Sequence, residues 1–157
     1  MEQGNWNVDQ MLHWLDIKID WEERNIHELK EQMDENFLYY FEYNAENLYK
    51  SIFMSKCYKI LRQGLEETED IDKIQKILRR NEACGEKRLL NARLDCQSSI
   101  RAVNMVHFLE LECTQQLIKD LRVLADILAQ TPSEEDCNRT AKKEEPPERK
   151  VKTGIRR

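Results

Sequence analysis

The chain reads as all-α, a long antiparallel helical hairpin with a coiled-coil-like bundle character and a charged tail, and three observations predict it. Apolar residues recur at three- and four-residue steps over most of the first 130 positions. All three prolines, Pro132, Pro146 and Pro147, lie beyond residue 131, so the strongest helix breaker is missing where the period runs. The closely spaced turn signals that a strand-rich fold needs are absent as well.

The first arm spans residues 7–63. Asn7, followed by Val8-Asp9-Gln10, reads as a helix start, with an N-cap side chain and a glutamine at the third position reaching back as in a capping box. Val8, Met11, Leu12, Leu15, Ile19, Ile26, Leu29, Met33, Phe37, Tyr40, Phe41 and Leu48 then form one stripe at helical period. Glu22 and Asn36 stand at stripe positions, and the four-residue steps Met33, Phe37, Phe41 resemble a stutter in a heptad, which favours an irregular bundle helix over a strict coiled coil. The arm closes at Arg62-Gln63-Gly64-Leu65, where Gly64 can turn left-handed and Leu65 can fold back.

A turn at 64–68 leads to the second arm, residues 68–130, with Thr68 as cap and Glu69 and Asp70 as first-turn acids. Its stripe is Ile71, Ile74, Leu78, Leu89, Cys96, Ile100, Val103, Leu111, Ile118, Leu121, Leu124 and Leu128, and it ends before Thr131-Pro132. Unbroken, each arm would reach roughly 85–95 Å, so the simplest fold is a two-arm hairpin. The alternative breaks each arm once, near Asp34–Asn36 and Asn81–Gly85, and gives a compact four-helix bundle. Residues 1–131 thus make one helical domain. Residues 132–157 lose the apolar period and read as a disordered tail.

On a helical wheel a second apolar face emerges. Trp6, Trp14, Ile17, Trp21, Tyr39, Tyr43 and Cys57 fall opposite the main stripe of the first arm, with Arg24, Glu28, Gln32 and Glu35 between them. Leu90, Leu94, Met105, Phe108, Leu109, Val123 and Ile127 do the same in the second. A two-helix hairpin covers one stripe per arm, and each fully buried Leu or Phe is worth roughly 1.5–3 kcal/mol relative to exposure. The surplus predicts cover from partner helices or, in the four-helix layout, from the chain's own helices. The run FLYYFEY at 37–43, five aromatic rings in seven residues, lies where the two surfaces meet. Trp6, Trp14, Ile17, Trp21, Tyr39, Tyr43, Met105 and Phe108 are therefore the candidate partner-binding residues, in a homo- or hetero-oligomer.

Motifs for chemistry are missing. His13, His27 and His107 are too far apart to share a turn, and His27-Glu28-Leu29-Lys30-Glu31 has Glu where HExxH needs its second imidazole. Glycines stand only at 4, 64, 85 and 154, too sparse for a phosphate loop. Five scattered cysteines without a CxxC pair fit reduced thiols, with Cys57 and Cys113 as small hydrophobes. The expectation is a non-enzyme without cofactor, metal or small-molecule ligand. With neither a secretory leader nor a membrane-length apolar run, it should be intracellular, cytoplasmic or nuclear.

The tail offers a second reading. It holds eight basic and six acidic residues, and its last nine positions carry Arg149, Lys150, Lys152, Arg156 and Arg157 without an acid. Such a segment suits nuclear import or contact with an acidic surface, a microtubule lattice or nucleic acid, and would make the chain a nuclear nucleic-acid-associated factor. It lacks aromatic residues for base stacking. In general character the proline-poor, two-faced helices with a short charged tail resemble small coiled-coil subunits of spindle, kinetochore or centrosomal assemblies. That resemblance of class implies a non-catalytic interaction subunit of a multiprotein complex, in a cytoskeletal or cell-division setting.

Overall fold

The computed structural model describes residues 3–68, 70–92 and 99–130, with side chains from Trp6 onward. They form five α-helices: α1 Gln3–Glu35, α2 Phe37–Tyr43, α3 Ala45–Glu66, α4 Ile71–Ala92 and α5 Arg101–Ala129. No strand occurs among the described residues. The tail, with Arg149, Lys150, Lys152, Arg156 and Arg157, lies outside them, as do Leu94 and Cys96.

The two long unbroken arms do not form. The first arm bends at Asn36, where φ −149° and ψ 86° leave the helical region and the side-chain oxygen accepts from the Tyr39 N–H at 3.2 Å, starting α2. A second bend at Asn44 starts α3, which packs back on α1. Three bridges give the direction: Asp16 with Arg62, Glu23 with Lys59 and Gln32 with Asn44, rising along α1 and falling along α3. The first arm is thus itself an antiparallel hairpin with α2 as its turn.

The second arm folds likewise, with a different break from the expected one. α4 runs unbroken through Asn81–Gly85 to Ala92, and the next helix, α5, begins at Arg101. Gly85 serves close packing instead: a Cβ there would come within 3.0 Å of Ile118 Cγ1. Arg122 with Glu82 and Glu86, and Arg88 with Glu110, set α4 antiparallel to α5. Between the hairpins α3 and α5 run parallel, joined by Tyr49–Glu110, Lys50–Glu112 and Tyr58–Asp120, while α1 meets α5 antiparallel through Lys18–Asp120. Four long helices therefore alternate up and down around one core.

Three caps also differ from expectation. Gly64 stays inside α3, which continues to Glu66, and no glycine among the described residues has positive φ. Helix α3 gives way at Glu67 and α4 begins at Ile71, with Asp70 the better cap of α4, its carboxylate accepting from the N–H groups of Asp72 at 3.0 Å and Lys73 at 3.4 Å. Asn7 does not cap α1, which begins at Gln3. Its amide donates to the carbonyls of Leu128 at 3.0 Å and Gln130 at 2.7 Å, satisfying acceptors left over where α5 ends.

The core gathers at one end. Val8, Met11 and Leu15 from α1, Leu61 and Leu65 from α3, Ile74 and Leu78 from α4, and Leu121, Leu124 and Leu128 from α5 are all buried in one cluster. At mid-height the stripe position Glu22 is buried beside Ser51 and Asp120. Burial pushes its carboxyl above the usual range, against hydrogen bonding from Ser51 and the charge of Lys18. Tyr58 donates to Asp120 at 2.5 Å and Gln116 donates to its other oxygen at 3.0 Å, so this buried carboxylate is held by partners on two helices.

Candidate partner-binding surface

Beyond mid-height the packing thins and the other end of the bundle is open. Along α1 the stripe passes from buried Ile19 to half-buried Ile26, Leu29 and Met33. The stripe residues Phe37 and Phe41 are exposed outright. Of the seven residues of α2 only Tyr40 turns inward, at 4% exposure, whereas Leu38 stands at 80%. The remaining rings pair along the outside of α2: Phe37 stacks on Phe41 at 6.0 Å between centroids, and Tyr39 leans on Tyr43 at 4.9 Å.

The start of α5 lies at the same level. Because Tyr49 meets Glu110 and Tyr58 meets Asp120, α3 and α5 keep a nearly constant register, and the first turns of α5 are level with the α2–α3 junction. Every residue from Arg101 to Phe108 is exposed, although four of them are Val103, Met105, Val106 and Phe108. The antiparallel pairing with α4 brings exposed Leu90 to this end too. Two helical turns without a fully buried residue depart from the usual source of helix stability in a folded domain, which is the packing of an apolar side.

The eight candidates fall into separate groups. Tyr39, Tyr43, Met105 and Phe108 are all exposed and share the open end. Trp6, Trp14 and Ile17 line a groove of about 250 Å³ near the closed end, together with Ile127 and Gln130. Trp14 is half-buried there against the core, its ring edge-on to Tyr58 at 6.4 Å and covered by the Lys18 ammonium at 5.0 Å. Trp21 is exposed on the lip of a groove of about 370 Å³ between α1 and α3, whose floor includes Glu22, Ser51 and Met54. The wheel therefore unites residues that the structure distributes over three places. It omits Phe37, Leu38, Phe41, Val103 and Val106, which belong to the open end: Phe37, Phe41 and Val103 were hidden because a stripe residue reads as core, and Leu38 and Val106 were assigned to neither face.

The charge around the open end is uneven. From Glu28 to Glu46 the chain carries six carboxylates, Glu28, Glu31, Asp34, Glu35, Glu42 and Glu46, against one base, Lys30, and all seven are exposed. The far margin, at the end of α4 and the start of α5, carries Lys87 and Arg101.

Reactive groups elsewhere are subdued. Cys57, Cys84 and Cys113 are free thiols, and burial pushes that of buried Cys113 up to about 11, so it packs as a small neutral hydrophobe. Among the described residues no group of three His, Cys, Asp or Glu is placed to hold a metal, and no helix is long and apolar enough to cross a membrane. No family model, curated protein or solved structure matches the chain.

Proposed function

We propose that this chain is a non-catalytic helical interaction subunit that assembles with partner helices in a multiprotein complex. One observation carries the reading: the first two turns of α5 and nearly all of α2 present aromatic and aliphatic side chains to water on the same end of the bundle. Exposed apolar surface gathered in this way at one end of a helical domain marks an interaction site. Its aromatic content and central Met and Phe side chains are those enriched where interfaces are strongest.

The test compares the tagged wild-type chain with the double variant Phe41→Ser, Phe108→Ser, expressed in the cells that carry the protein. Both positions are exposed, so helix content should be unchanged by circular dichroism. The wild type should elute in a complex of fixed stoichiometry and the variant as the free bundle. Elution of both as the same cooperatively melting monomer would refute the reading. Identification of the co-eluting chain then assigns the process.

A further inference from the structure

The geometry points to the occupant of the open end: an amphipathic helix of a different protein, apolar on one face and basic along one flank. The inference rests on the chain being an interaction subunit and goes further by giving the partner's chemistry. The exposed side chains of α2 and of the first turns of α5, chiefly Phe37, Phe41, Tyr43, Met105 and Phe108, call for an apolar face. Helices meet such surfaces with anchors at three- and four-residue spacing. The α1–α2 margin supplies the direction of charge, with six exposed carboxylates against Lys30 between residues 28 and 46. A basic flank along this margin complements it, and an acidic one is repelled.

Two other occupants fit less well. A second copy would bring the same carboxylate margin against itself. The chain's own tail has the right sign of charge, yet residues 131–157 contain no aromatic residue and few apolar ones, Val151 and Ile155 among them. The tail also follows α5, which starts at the open end and runs 29 residues, about 43 Å, to the closed end, so the tail would have to double back over that length to reach the surface.

The experiment uses the full chain and a fluorescein-labelled helical peptide of about 18 residues, five turns, with Leu on one face and Lys on the other. Peptides with Glu or Gln in place of Lys are the comparison. By anisotropy the Lys peptide should bind at least about tenfold tighter than the Glu peptide, and added salt should narrow the gap. The charge variant Glu35→Lys, Glu42→Lys should reverse the order of the two. Phe41→Ser with Phe108→Ser should abolish binding of every peptide.

A Gln peptide that binds as tightly as the Lys peptide overturns the basic flank and leaves the interaction reading standing. Self-association in sedimentation velocity that the two Phe substitutions abolish assigns the surface to a second copy. Displacement of the Lys peptide by a peptide of residues 131–157 assigns it to the chain's own tail. Either result overturns the proposal alone. Failure of every peptide to bind, with a strictly monomeric chain in its native cells, brings down both readings.

Discussion

Glu22 stands where the stripe of α1 asks for a hydrocarbon side chain, and it is 6% exposed. Its raised pKa comes first from lost hydration, which hydrogen bonding from Ser51 and the charge of Lys18 only partly offset. A carboxyl that titrates higher in the fold than in the unfolded chain binds its proton more tightly when folded. Its favourable contribution is therefore complete below the unfolded value near 4.5 and is lost as pH rises through the raised folded value. Glu22→Gln removes that dependence. Urea midpoints should show the variant gaining on the wild type between acidic and neutral pH, and a gap independent of pH would refute the assignment. The sequence marked Glu22 as out of place, since a charge at a stripe position is visible without coordinates. It did not reveal the Tyr58–Asp120 pair, because joining residues 62 positions apart requires the packing of α3 on α5.

At the level of whole helices, two glycines sit inside elements for opposite reasons. Nothing lies within 4 Å of a Cβ built on Gly64, in the last turn of α3. Gly64→Ala should therefore stabilise the bundle by about 0.5–1 kcal/mol, read as a higher denaturant midpoint at unchanged slope. Gly85→Ala should gain less or lose, because Ile118 on α5 must move aside for the new methyl group. The all-helical class was legible from period and proline placement, but not where each helix starts and stops. The bend at Asn36 was legible as one of two layouts, since a short polar side chain interrupts the stripe there. Asn81–Gly85 was misleading: glycine suggests a break in one sequence, but here it permits α4 and α5 to approach, a role that appears only with the second helix in place.

For the molecule as a whole the decisive property is its asymmetry from end to end. All four long helices contribute buried residues to the closed end, whereas at the open end nearly all of α2 and the first two turns of α5 are exposed. Native-state hydrogen exchange should resolve this: amides in Cys113–Leu128 exchanging only through global unfolding, and those in 101–108 and α2 faster by on the order of a hundredfold or more. Uniform protection would contradict it. Only part of the candidate surface could be read from sequence. Tyr39, Tyr43, Met105 and Phe108 announced themselves by lying off the stripe. Phe37 and Phe41 lie on it, and whether such a residue is covered depends on how far the neighbouring helices extend, which no single helix encodes.

The contact of Asn7 with the carbonyls of Leu128 and Gln130 bears on how the protein is born. A ribosome adding roughly 5–20 residues per second needs about 3–13 s to go from Glu66 to Ala129, and for that interval the nascent α1 has no α5 to embrace. Closure waits for the last helix. The aromatic ridge of α2, translated early, is available to a chaperone or to the eventual partner well before the polypeptide can complete itself.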